Sequence, residues 1–178
     1  MLVVTSLVNG GLTFGRLREV RLVALGLPAR PPPVVWFAAI SLVGAGFGAV
    51  VLRAVEDRIS RAGVARRTYV AGCALGTLGL VLFAAAADAA TAVAGVLLVA
   101  GVADPVVRAA GVVWLNGRTT SAVRATVHSL LSQAENLGEV VFGTALAAVA
   151  GASAAGAVLC AAALFASAAA LVARATRD

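Results

Sequence analysis

Residues Trp114–Gly143 read WLNGRTTSAVRATVHSLLSQAENLGEVVFG. Leu115 to Arg124 is short and polar, with arginines at 118 and 124. Beyond Arg124 the chain climbs into an apolar segment that carries two carboxylates. On a helix, Arg124, His128, Ser132, Glu135 and Glu139 fall on one stripe, at spacings of four, four, three and four. Leu146 and Ala150 continue the stripe as apolar. The spacing predicts a helix that starts at a basic loop, stays polar on one face to its middle and ends apolar. In water that is an ordinary amphipathic helix. In lipid an acidic stripe at this depth has to face protein or a water-filled cavity.

Composition decides the solvent. Of the 178 residues, 61% are hydrophobic and 12% charged, and mean hydropathy is +1.01. A soluble domain has roughly a quarter of its residues charged. The net charge of +6 comes from 14 basic residues, all arginine. They cluster between apolar runs, which is the topology signal of a membrane protein rather than a nucleic-acid footprint. Cys73 and Cys160 lie inside apolar runs and are expected as small buried hydrophobes, not a disulfide or metal pair. Met1 leads straight into Leu2-Val3-Val4, with no basic region of a secretory signal.

In chain order, Met1–Phe14 is apolar but too short to cross a hydrocarbon core of about 30 Å at about 1.5 Å per residue. It is expected as a partial span with its beginning missing, or as an interfacial anchor. Gly15–Pro33 holds Arg16, Arg18, Glu19, Arg21 and Arg30, then three prolines, and reads as a loop. Full spans are expected at 34–52, 68–87, 91–113, 125–150 and 154–173. Gly44-xxx-Gly48 and Gly72-xxx-Gly76 are close-packing faces. Val140–Ala173 has no charge for 34 residues, too long for one crossing, so a break is expected at Gly151-Ala152-Ser153. The fold class is therefore an all-α polytopic membrane bundle forming one membrane domain over 1–178. With the Arg53–Arg67 loop, Arg118, Arg124, Arg174 and Arg177 on one side, and Arg16, Arg18, Arg21 and Arg30 on the other, the asymmetry favours a cytoplasmic C-terminus.

The run W-L-N-x-R, then R-A-T-V-x-S-x-x-x-Q and G, occupies Trp114, Leu115, Asn116 and Arg118, then Arg124–Val127, Ser129, Gln133 and Gly138. It resembles the loop and eleventh helix of major facilitator superfamily transporters. Asp57, Arg58, Gly63, Arg66 and Arg67 are similar to that superfamily's G-x-x-x-D-R-x-G-R-R loop. Arg53 stands where glycine is expected, and extra residues separate Asp57 from Gly63. Phe14-Gly15-Arg16-Leu17 faintly resembles an E-x-F-D-R-L pattern, with Leu12 and Gly15 in the places of its acids. The resemblance implies the second half of a twelve-helix transporter, from a stub of helix seven through helix twelve. It implies a multi-pass protein of the cell (inner or plasma) membrane. It also implies proton-coupled transport of a small molecule, of a drug or metabolite efflux type, with an N-terminal half-transporter or a second copy as partner.

The chemistry rests on few residues. The transport-path candidates are Glu135, with Asn136 flanking, Glu139, Ser132 and His128. Ionised carboxylates at mid-bilayer are costly, about 3 kcal/mol on insertion scales. Glu135 and Glu139 share a stripe and are expected to titrate as a pair. Asp104 and Arg108, also transport-path candidates, are four apart and are expected as a neutralising intrahelical pair; in the alternative reading Pro105 kinks the helix beside the pathway and Asp104 is a second coupling acid. In the cytoplasmic loop, Asp57 and Arg58 are expected to brace helix ends, beside Arg66 and Arg67. One histidine and no paired Cys/His ligands argue against a metal, a cofactor or an enzyme. The competing class is a small non-transporting helical membrane protein, or an inert remnant of a transporter.

Overall fold

The computed structural model describes residues 1–28, 30–61 and 63–175, and their regular structure is helical throughout. The helices are α1 (Leu2–Leu12), α2 (Gly15–Ala24), α3 (Pro33–Ile59), α4 (Val64–Ala85), α5 (Ala89–Val96), α6 (Asp104–Asn116), α7 (Ser121–Ala152) and α8 (Ala154–Arg174). A π-helical turn, Leu97–Ala103, joins α5 to α6. Arg177 lies outside the described residues.

Local chemistry sets the boundaries. Pro33 occupies the first turn of α3, where its missing N–H is harmless. Gly63, at φ 78°, takes the left-handed conformation before α4. Asp88 caps α5 by accepting from the Thr91 N–H at 2.9 Å. The long uncharged run breaks at Ser153, whose extended backbone ends α7 and whose Oγ accepts from Gly156 N at 3.0 Å to start α8. The π turn has its cause at Pro105. Proline lacks an N–H and crowds the carbonyl four residues back, which is that of Gly101.

Four helices are long and apolar enough to cross a membrane: Pro33–Ile59, Val64–Ala85, the continuous Ala89–Asn116, and Ala154–Arg174. α7 has 32 residues and is not among them, because Arg124, His128, Glu135 and Glu139 dilute its apolar character. On length and composition alone, four helices therefore qualify as spans, where the sequence suggests five.

α2 departs from expectation. Its arginines do not share a face, which suggests a loop, yet residues Gly15–Ala24 are helical. The reason is that its inner side has partners. Leu22 is 1% exposed, and Arg21 reaches the end of α4. Its Nε donates to Phe83 O at 3.1 Å, its Nη2 donates to Ala84 O, and its guanidinium lies 5.7 Å from the Phe83 ring centroid. Carbonyls that the last turn of α4 leaves without partners are thus satisfied.

The packing has an internal symmetry. α1 packs on α7 and α8; the α5–α6 helix packs on α3 and α4; α7 meets α8, α3 meets α4, and α4 meets α8. Exchanging α1 with α5–α6, α3 with α7 and α4 with α8 leaves this set of neighbours unchanged. Direction agrees as well. Ser6 and Gly10 of α1 and Thr13 at its C-terminal cap track Gly138, Phe142 and Gly143 of α7 in the same order, while Gly44 and Gly48 of α3 track Gly101 and Pro105. Both exchanged pairs are parallel. At the centre the Phe165 ring occupies space left by Gly11 of α1 and Gly76 of α4, among fully buried Leu80, Phe83, Val99 and Val158.

Candidate functional site

α1 is 11 residues long, about 16 Å of helix, and it covers α7 over only part of α7's length. Along one side of it a cavity of about 260 Å³ opens between α1, α4, α6 and α7. Thr5 and Asn9 line it from α1, Tyr69 from α4, Asp104 and Arg108 from α6, and His128, Ser132 and Glu135 from α7. The remaining wall is apolar, with Val8, Val107 and Leu131 among its residues.

The charges are ordered by short bonds. Arg108 Nε donates to Asp104 Oδ1 at 2.7 Å, the i,i+4 ion pair that the spacing suggests. Arg108 Nη2 donates to Asn9 Oδ1 at 3.3 Å, and Asn9 Nδ2 donates to Thr5 O at 3.0 Å. Asn9, 5% exposed, therefore uses both ends of its amide to fix the guanidinium across the α1–α6 boundary. His128 Nε2 lies 3.1 Å from Asn116 Oδ1. Ser6 Oγ donates to Ala134 O at 2.8 Å and pins α1 to α7 beside Gly138.

The acidic stripe of α7 is divided. Glu135 is half-buried in this cavity, whereas Glu139 and Asn136 are exposed and line a second one, of about 550 Å³, with Arg16, Gly143 and Thr144. The two glutamates remain one helical turn apart but face different spaces, because adjoining stretches of α1 and α2 separate them. The loop motif also divides. Arg66 Nη1 donates to Val172 O at 3.3 Å and braces the end of α8. Asp57, Arg58 and Arg67 are exposed. Asp57 and Arg58 lie in the last turns of α3, which continues as helix to Ile59. Cys73 is buried, but Cys160 is exposed on α8, the opposite of its expected burial.

Sequence reasoning did not find Asn9, Thr5 or Tyr69. The available signal was an asparagine inside an apolar run, four residues after a threonine, on a helix that lipid or protein must enclose. Comparison of the chain with the models of known families, with curated proteins and with solved structures gives no match.

Proposed function

We propose that this chain is one half of a proton-coupled secondary transporter for a small molecule, with the cavity between α1, α6 and α7 as its part of the transport path. The observation that carries this is a half-buried carboxylate, Glu135, beside an ordered Asp104–Arg108–Asn9 cluster in a mostly apolar cavity. Ionisable groups inside a membrane bundle mark substrate and proton pathways. The exchange symmetry supports the same reading. Two triplets, α1–α3–α4 and α5/α6–α7–α8, each hold three helices, of which α1 is shorter than a span, and the exchange pairs them in chain order. Nested inverted repeats of three are the architecture of each six-helix half of the superfamily that the sequence resembles. In this reading α7 is the fifth full span, and its polar face is covered by protein or water instead of lipid.

The exposed polar face of α7, with Gln133, Asn136 and Glu139, requires a partner bundle at membrane depth, either an N-terminal half-transporter or a second copy. The membrane is the cell membrane, and the side that carries Arg53–Arg67, Arg118 and Arg124 is cytoplasmic. A trapped pH dye in proteoliposomes, challenged with a panel of solutes under an imposed pH gradient, tests the proposal. Solute-dependent proton movement is expected from paired chains and not from chains held apart by dilution. Its absence in every pairing favours the non-transporting bundle.

A further inference from the structure

We propose that the pocket where α3 ends, α4 begins and α6 ends holds the phosphate headgroup of an anionic phospholipid, clasped by Arg61, Arg66 and Arg118. This rests on the chain's spanning a membrane and not on the transport reading. The three helix ends meet on one side of the bundle around a cavity of about 330 Å³. Arg61 enters it from the turn after α3, Arg66 from the first turn of α4 and Arg118 from the turn after α6. Among the described residues no acidic side chain lines it. Glu56 and Asp57, the carboxylates in the preceding turns of α3, are exposed and outside it. Arg66 Nη1 donates to Val172 O at 3.3 Å, and the Arg118 guanidinium lies 5.5 Å from the Trp114 ring centroid. Those partners are uncharged, and among the described residues none of the three arginines is in an ion pair. The lining is therefore positive without compensation. Gly63 and Ala65, at the N-terminus of α4, line the same pocket. No side chain caps that end and its first turn holds no acid, so the helix terminus favours an anion there too.

The walls say which anion. Ile59, Ala65 and Val113 make an apolar side to the pocket. Val113 is 39% exposed, so an acyl chain can continue from the headgroup along the bundle. The Trp114 ring, 6.0 Å from that of Tyr69, stands near the end of a span, the headgroup depth at which tryptophan gathers. A soluble phosphate gains charge pairing alone, whereas a phospholipid gains charge pairing and apolar contact. A zwitterionic headgroup brings an ammonium up to the arginines and forfeits the balance. Basic pockets between spans on the cytoplasmic side take anionic headgroups, and this is the arginine-rich side of the chain.

Trp114 is the reporter. Trp36 is the other tryptophan; its Nε1 has no hydrogen-bond partner, and Trp36→Phe removes its signal. The probe is phosphatidylglycerol brominated on its acyl chains, added to the Trp36→Phe chain in neutral-detergent micelles, with brominated phosphatidylcholine alongside. Half-quenching of Trp114 fluorescence is expected at an at least tenfold lower fraction of phosphatidylglycerol than of phosphatidylcholine. Arg61→Gln combined with Arg118→Gln is expected to remove that preference. Arg58→Gln combined with Arg67→Gln takes the same charge from exposed positions outside the pocket and is expected to keep it. Glycerol 3-phosphate, the headgroup phosphate without acyl chains, is expected not to reverse the quenching. Equal quenching by the two lipids, or a preference lost equally in both paired variants, overturns the proposal. Reversal by glycerol 3-phosphate overturns the lipid and assigns the pocket to a soluble phosphate compound. If the Arg61 and Arg118 variant does not fold, the two lipids and glycerol 3-phosphate on the Trp36→Phe chain decide it.

Discussion

Replacing Gly138 by alanine separates α1 from α7. A Cβ on Gly138 falls 2.7 Å from Ser6 Cα and 2.8 Å from its carbonyl carbon, with the Ser6 carbonyl oxygen nearer still. Carbon atoms in contact rest at about 3.5–4.0 Å, so α1 has to retreat by about 1 Å. The obstacle is backbone, and no side-chain rotation relieves it. Overpacking of this kind costs about 1–3 kcal/mol. The retreat also stretches the Ser6 Oγ bond to Ala134 O, 2.8 Å long and worth about 0.5–1.5 kcal/mol. Together these give about 2–4 kcal/mol, or about 5–15 °C of Tm for a chain of this size. Gly46→Ala is the control: nothing lies within 4 Å of its added Cβ, and alanine is the better helix former. Thermal melts in nanodiscs, followed by tryptophan fluorescence, compare the two variants. Equal melting temperatures would refute the close α1–α7 contact and the cavity wall that depends on it.

Other consequences are nearer the charges. Asp104→Asn and Arg108→Gln are each expected to lower stability by about 0.2–1 kcal/mol, the range of an ion pair that solvent reaches. The double variant is expected to recover part of that loss, giving a favourable coupling in a double-mutant cycle; strict additivity would mean that the 2.7 Å pair contributes nothing. Asp88 has its carboxyl held below the usual carboxylate range, first by the backbone N–H of Thr91 and then by the Thr91 hydroxyl. A depressed folded-state value gives stability that is present above the unfolded value, about 3.9, and is lost as pH falls through the folded value. The melting difference between wild type and Asp88→Ala should therefore be full at pH 7 and shrink below about pH 4, and a constant difference would contradict the cap.

The helices were legible because a membrane demands long apolar runs, and charges, prolines and glycines punctuate them. The break at Ser153 and the irregularity before Pro105 arise from local rules. α2 was not legible, because the partners of Arg21 are carbonyls of Phe83 and Ala84, about sixty positions along the chain. The Asp104–Arg108 pair lies on one helix and could be read from its spacing. The cluster around it could not, since Asn9 and Tyr69 come from helices whose register against α6 depends on where glycines let backbones approach. The same holds for α7. Periodicity puts Glu135 and Glu139 on one stripe, but only the position of α1 and α2 assigns them to different cavities.

The role of Glu135 is tested most directly by solute flux under an imposed pH gradient, for wild type and Glu135→Gln, with thermal stability recorded on the same samples. Carboxylates inside membrane bundles serve as proton relays in pumps and transporters, and glutamine keeps the shape of glutamate without its exchangeable charge. Glu135→Gln is expected to fold with unchanged stability and to lose the dependence of flux on the gradient. Gradient dependence equal to wild type in Glu135→Gln, or lowered stability with coupling intact, would contradict the account and leave Glu135 a structural partner of a neighbouring helix.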